Sequence, residues 1–207
     1  MEKEANRMEI IFIRHGQGIH NTDIPDRLNF ENPRLTNKGR EQAALLKSTF
    51  SFQHNDVFIT SPTIRTIETT AIMTSGLLHA RKYISPLVGP RMFPLPASPE
   101  ASALRCDRVY PLTLIRSEHT DFIITDQEDE DLWKNGINIM SEEAFRIVGQ
   151  RFLQWIQTLN ANKVYVIAHD GTITSYRILL GETGLSRSDF LPETGWHRIE
   201  WHAKEQS

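Results

Sequence analysis

The sequence is poor in cysteine. Among its 207 residues only Cys106 is a cysteine, so the chain can form neither an intrachain disulfide nor a cysteine-based metal cluster. It also lacks any apolar run approaching the roughly 20 residues that span a bilayer. Its N-terminal residues are charged and polar, unlike the apolar core of a secretory signal. We therefore expect a reduced, cytoplasmic protein that has no membrane partner.

The charge balance excludes another class of partner. Lysines and arginines number 23 and acidic residues 26, which gives a formal net charge of −3. A chain with this balance has no general electrostatic attraction for nucleic acid, so we expect none as a partner. A small anionic substrate would need a local pocket of positive charge. The length suits one domain, and nothing in the sequence predicts an oligomeric state.

Short apolar segments rich in β-branched and aromatic residues predict three buried strands, at residues 8–13, 56–60 and 164–168. Residues 197–201 alternate in polarity and predict an edge strand. Helical patterns lie between the buried strands and after the last of them. This alternation predicts a three-layer α/β sandwich with a mostly parallel central sheet flanked by helices.

Capping residues mark the predicted helix starts. Thr36 is placed to cap a helix over 37–50, and Ser141 a helix with an apolar stripe. We expect Ser61 to cap another helix, with Pro62 as its first residue and one apolar face formed by Ile64, Ile67 and Ala71. A further helical run follows His169 and extends to Leu180.

The stretch at about 85–136 is proline-rich and less regular. We predict that it forms an irregular cap insertion that selects the substrate, within a single domain that spans 1–207. Its acidic run, 126–131, is typical of a solvated loop. Arg105 and Arg108, also in this stretch, could bind a second phosphate or a carboxylate of the substrate.

The ends of the predicted strands carry an unusual set of side chains. In parallel α/β sheets, ligands bind beyond the carboxyl ends of the strands. Those ends hold Arg14, His15, Arg65 and His169. The arginine fork binds phosphate oxygens, and a neutral imidazole is a nucleophile near neutral pH. Together these groups could hold a phosphoryl group in line with an attacking nitrogen.

Four motifs in order along the chain resemble those of the histidine phosphatase superfamily, also called phosphoglycerate mutase-like. A strand followed by Arg14-His15-Gly16, with Asn21 seven residues after the arginine, is similar to its opening motif. The segments 35–43 and 61–69 resemble its Leu-Thr-x-x-Gly-x-x-Gln-Ala and Ser-Pro-x-x-Arg-x-x-x-Thr motifs. Residues 166–171 fall where that family has its second histidine.

The resemblance implies a role for each matching residue. His15 would be phosphorylated during turnover, while Arg14 and Arg65 hold the phosphoryl oxygens. His169 would donate a further hydrogen bond to the phosphoryl group, and Asn21 would lie at the pocket wall near the phosphate. Family chemistry uses no metal or other cofactor, so we expect none. Other histidines, His20 among them, look like surface residues.

The general acid is the weakest part of the match. Members that resemble the mutases have a glutamate after the third strand, but residues 85–93 contain no acid. The acid-phosphatase branch uses an aspartate directly after the second histidine, which matches Asp170. We favour Asp170 over Glu100, and place Asp107 third.

Three functions are open at this point. The first is a metal-independent phosphatase that hydrolyses small phosphate monoesters through a phosphohistidine on His15. The second is a mutase-type phosphotransferase, which the missing acid after the third strand makes less favoured. The third is a non-catalytic phosphate-binding module. The four intact residues Arg14, His15, Arg65 and His169 argue against that third function.

Overall fold

Apolar runs in the sequence form one six-stranded sheet in the computed structural model, which describes residues 7–97, 104–125 and 129–202. The spatial order is β4-β3-β2-β5-β1-β6. The first five strands are parallel to their neighbours, and β6 pairs antiparallel with β1 at the edge. The strands are β1 (Arg7–Arg14), β2 (Val57–Thr60), β3 (Arg81–Ile84), β4 (Ile123–Ile124), β5 (Lys163–Ala168) and β6 (Trp196–His202).

Six α-helices accompany this sheet within the described residues. They are α1 (Asn37–Thr49), α2 (Ile64–Met73), α3 (Leu112–Glu118), α4 (Glu130–Asn135), α5 (Glu142–Thr158) and α6 (Asp170–Leu179). None of them combines the length and apolar character needed to cross a bilayer. The predicted three-layer α/β fold is confirmed.

The two faces of the sheet are covered by different helices. Ile11 and Ile13 of β1 pack in a cluster with Leu46 of α1 and Met73 of α2. The alternate residues of β1 point to the other face, in a cluster that takes Phe152 from α5. Because both faces are buried, the central strands are apolar at every position, which is why they were readable as continuous runs.

Two of the predicted caps are confirmed. The Thr36 hydroxyl accepts from Gly39 N, and the Ser141 hydroxyl accepts from Ala144 N. The prediction for Ser61 is wrong, since α2 begins at Ile64 after Thr63, which makes no side-chain cap.

The apolar face predicted for the helix that is now α2 is confirmed only in part. Ile64 and Ile67 are buried as predicted, whereas Ala71 is exposed.

The stretch 85–136 is more regular than predicted. It contains α3, α4 and the short strand β4, which extends the sheet beside β3. In its acidic run, the Asp129 side chain accepts from Asp131 N at the start of α4, while 126–128 lie outside the described residues. The strand β3 was not among the predicted strands.

Candidate active site

The carboxyl ends of three adjacent strands form the floor of a pocket of about 360 Å³. The strands β2, β5 and β1 are neighbours, so the residues that follow them meet at one edge of the sheet. Arg14 ends β1, His169 follows β5, and Arg65 lies in the first turn of α2 after β2. The structure brings Arg14, His15, Arg65 and His169 together as lining residues of this pocket.

The hydrogen bonds of His15 leave Nε2 without a proton. Arg65 Nε donates to His15 Nε2 across 3.3 Å, so this nitrogen must be the acceptor. The proton is then on Nδ1, which donates to Gly16 O at 2.7 Å. Burial, with the Arg65 cation next, lowers the pKa of His15 well below its usual value of 6.5. The imidazole is therefore neutral, with its lone pair on Nε2, at neutral pH.

Arg65 contacts both histidines of the pocket floor and the segment that contains Asp107. Its side chain is only 1 % exposed. Besides His15, it donates from Nη1 to Cys106 O at 2.7 Å and from Nη2 to Asp107 Oδ1 at 3.2 Å. The same Nη2 lies 3.2 Å from His169 Nδ1. A planar fork with several donors fits this arrangement, which a lysine could not reproduce.

Ser61 positions His169. Because Arg65 donates to Nδ1 of His169, the proton of this imidazole is on Nε2, which donates to Ser61 Oγ at 2.9 Å. The His169 ring lies 5.2 Å from that of His15. Burial, followed by the Arg65 charge, lowers the pKa of His169 well below 6.5. The residue predicted to cap a helix therefore orients a histidine of the pocket instead.

Asp170 lies at the pocket, but its oxygens are engaged. Oδ2 is 3.2 Å from Arg14 Nη2, and Oδ1 accepts from Gly171 N at 2.8 Å. A second donor of Arg14, Nη1, binds Leu191 O at 2.7 Å. Both Asp170 oxygens therefore have a partner within the described residues, and the carboxylate holds Arg14 at the pocket.

Asp107 has the properties that a general acid requires. One oxygen accepts from Arg65, while Oδ2 makes no hydrogen bond within the described part of the chain. Its side chain is 17 % exposed and lines the pocket. Burial raises the pKa of Asp107 above its usual 3.8, although the neighbouring Arg65 partly offsets the effect. Glu100, the other acid considered, lies outside the described residues.

His20 is a pocket residue that the sequence analysis placed on the surface. Its ring is only 8 % exposed and lies 5.5 Å from that of His15. Its Nδ1 is buried with no hydrogen-bond partner, and burial, with the charges of Arg65 and Arg14, lowers its pKa to about 2. The sequence feature that could have indicated this buried position is Gly18, because a Cβ at residue 18 would lie 2.7 Å from the His20 ring.

Asn21 is at the pocket wall, where the family resemblance placed it. It lines the pocket, and its Oδ1 accepts from Gly18 N at 3.0 Å, which closes the short turn that contains His20. Arg105 and Arg108 do not line the pocket, since both form ion pairs with Glu31 on the surface. The described residues contain no group of three or more histidine, cysteine or acidic side chains arranged to hold a metal ion.

Comparison with known proteins finds a resemblance to the same superfamily in one part of the chain. Residues 10–83 match the sequence pattern of the histidine phosphatase superfamily (branch 1). The predicted resemblance to the histidine phosphatase superfamily is confirmed. A curated relative, phosphoglycerate mutase-like protein 1 of Arabidopsis thaliana, is 26 % identical over 197 residues, which cover 78 % of this chain and 68 % of the relative.

Solved structures of the histidine phosphatase superfamily share the fold. The α-ribazole phosphatase of Shigella flexneri superimposes with a TM-score of 0.60 at 19 % identity, covering 93 % of this chain and 90 % of its own. For the phosphoglycerate mutase of Thermus thermophilus the TM-score is 0.51 at 18 % identity, with 94 % of each chain covered.

The part of the chain that carries the superfamily pattern is the part that supplies most of the pocket floor. Arg14, His15 and Arg65 lie within residues 10–83, whereas Asp107 and His169 come from later segments. The matched segment therefore includes three of the four residues that the strand ends bring together at the pocket floor.

Proposed function

We propose that this chain is a metal-independent phosphatase that hydrolyses phosphate monoesters through a phosphohistidine on His15. The observation that carries the proposal is the neutral Nε2 of His15 beside the buried Arg65 guanidinium. A lone pair on a fixed imidazole supplies the nucleophile, and the Arg65 and Arg14 cations supply the charge that stabilises the transferred group. The relatives in this superfamily that are named phosphatases support the same chemistry.

The first half of the reaction moves one phosphoryl group and one proton. The Nε2 lone pair of His15 forms the N–P bond while the ester P–O bond breaks. The attack uses the lone pair that now accepts a hydrogen bond from Arg65 Nε at 3.3 Å. When substrate binds, this N–H must therefore donate to a phosphoryl oxygen instead of to His15. The leaving oxygen takes a proton from the Asp107 carboxyl. In the second half, water attacks phosphorus as the Asp107 carboxylate accepts its proton, and the N–P bond breaks. The electron pair of that bond returns to His15 Nε2, and phosphate is released.

His169 would respond to the charge of the substrate. Its Nδ1 accepts from Arg65 at 3.2 Å while Nε2 donates to Ser61. A phosphoryl dianion beside the ring favours the imidazolium, since an opposite charge offsets the burial that lowers the pKa of His169. A proton gained at Nδ1 could then be donated to a phosphoryl oxygen, which is the role that the family resemblance implies.

The decisive experiment is hydrolysis of p-nitrophenyl phosphate in excess EDTA by the wild type and by His15→Ala. We expect phosphate release that survives the chelator and falls about 1,000-fold or more in the variant, which keeps the wild-type circular dichroism. Rapid quenching at alkaline pH should trap a phosphoenzyme that is labile to acid. A folded wild type that binds phosphate without turnover would contradict the proposal and favour a phosphate-binding module.

Transfer to a second hydroxyl is the alternative to transfer to water. The relative from Arabidopsis thaliana is named phosphoglycerate mutase-like, and the Thermus thermophilus structure is named a phosphoglycerate mutase, which favours testing this alternative. With 3-phosphoglycerate as substrate, a mutase would form 2-phosphoglycerate faster than inorganic phosphate. The hydrolytic proposal expects phosphate as the main product from every monoester that turns over.

A further inference from the structure

The pocket contains more positive charge than one phosphoryl group engages. Five arginines line it, against the two aspartates Asp107 and Asp170. Arg14 and Arg65 pair with these aspartates, and Arg91 pairs with Glu142. The remaining two arginines, Arg27 and Arg187, form no ion pair within the described part of the chain.

Neutral contacts hold Arg27 and Arg187 at the pocket. Arg27 Nη1 lies 3.4 Å from Thr22 O, and the Arg187 guanidinium is 5.5 Å from the centre of the Phe190 ring. Arg27 also lines an adjoining recess of about 480 Å³, to which Lys38 contributes. Glu193 lines the same recess, and its carboxylate accepts from Gln42 Nε2 at 2.9 Å. In a chain with a net charge of −3, two pocket arginines that form no ion pair with a described carboxylate are a feature to be explained.

The pocket that these cations line also has apolar side chains. Phe93 and Phe190 lie with their ring centres 6.3 Å apart, and both line the pocket. Leu28, the residue after Arg27, lines it as well although 39 % of its surface is exposed. An apolar or aromatic body of a substrate would contact these side chains when its phosphoryl group reaches His15.

We infer that the substrate carries a second anionic group, a carboxylate or a second phosphate, on an apolar or ring-shaped body, and that Arg27 and Arg187 bind this group. The inference rests on the proposed function, because the reacting phosphoryl group is taken to lie at His15. It assigns to Arg27 and Arg187 the role that the sequence suggested for Arg105 and Arg108, whose charges Glu31 engages instead.

The test compares matched substrates that differ only in the second charge. The 3- and 4-carboxyphenyl phosphates are assayed against the 3- and 4-carbamoylphenyl phosphates, which have the same shape without the charge. The wild type should favour one of the charged isomers by about tenfold in kcat/KM, mostly through KM, a preference that shrinks as salt screens the contact. The 3- and 4-(phosphonooxy)phenyl phosphates show whether a second phosphate is preferred to a carboxylate.

Variants complete the design. Arg27→Gln and Arg187→Gln should each lower kcat/KM much more for the favoured carboxyphenyl phosphate than for its carbamoyl counterpart, which removes most of the preference. The exposed Arg146→Gln serves as the matched control and should leave the preference unchanged. Equal kcat/KM for charged and neutral substrates in the wild type, or a preference that survives both variants, would overturn the inference and leave the phosphatase proposal standing. If no aryl phosphate is hydrolysed, the phosphatase proposal itself fails.

Discussion

Low pH should lower the free energy of unfolding of this protein because of His20, and the size of this loss follows from the pKa of the histidine. The pKa of His20 is lowered from 6.5 to about 2 in the folded chain, mainly by burial. As the pH falls, the unfolded chain therefore binds a proton at this site before the folded chain does. The resulting stability is complete above about pH 6.5 and is lost below it.

Between pH 7.5 and pH 5.0 the free energy of unfolding should fall by about 2 kcal/mol from His20 alone, because pH 5.0 lies about 1.5 units below the unfolded pKa and each unit corresponds to about 1.4 kcal/mol. This figure does not depend on the folded pKa as long as that value stays well below 5. His15 and His169, whose pKa values are also lowered, contribute in the same direction.

Urea unfolding of the wild type and of His20→Gln at several pH values measures the His20 share. At pH 7.5 the histidine is neutral in both states, so the difference between the two proteins there is the packing cost of the substitution. The loss of stability from pH 7.5 to pH 5.0 should be about 2 kcal/mol smaller in His20→Gln. Parallel losses in the two proteins would show that His20 takes up its proton equally in both states, and the reasoning from burial would be refuted.

Three further changes test the site and its support. Asp107→Asn should lower kcat/KM about 100-fold more for alkyl phosphates than for p-nitrophenyl phosphate, whose leaving group needs no proton, whereas Asp170→Asn should slow both substrates alike. With alkyl phosphates the wild-type rate should fall as the pH rises through the raised pKa of Asp107, a limb that a pH profile of Asp107→Asn should lack. Ser61→Ala removes the acceptor of His169 Nε2 and should reduce kcat/KM about tenfold in steady-state assays, with restoration by Ser61→Thr. Glu68→Gln weakens ion pairs to Arg34 and Arg40, so thermal unfolding should show a loss of about 1 kcal/mol with kcat unchanged.

The central strands were predictable because their environment is uniform. Residues 10–13 and 164–168 are buried on both faces of the sheet, so every position is apolar and the run stands out. The strand β3 has half-buried Arg81 and Lys82 near its start, and β4 has only two residues. Neither carries enough apolar pattern to be recognised, and their place in the sheet is decided by pairing with β2 and with each other.

The residues on the pocket floor were predictable for a related reason. A side chain that directly follows a buried strand must emerge at the carboxyl edge of the sheet, so chain position alone brings Arg14 and His169 together. Ser61 follows the same rule, yet its function was misread. A serine before a proline has a strong local preference for capping a helix, and only the approach of His169 from another strand shows that its hydroxyl is used there.

Asp107 could not be selected from the sequence, because nothing local places it in the pocket. It lies in a short 3₁₀ turn, Arg105–Asp107, that is held against the site by a backbone contact, Cys106 O with Arg65 Nη1 at 2.7 Å. That contact joins residues 41 positions apart and has no periodic signature. Arg65 therefore contacts both His15, the proposed nucleophile, and the segment that carries Asp107, the proposed general acid, so the position of this acid depends on a tertiary contact that chain position alone does not reveal.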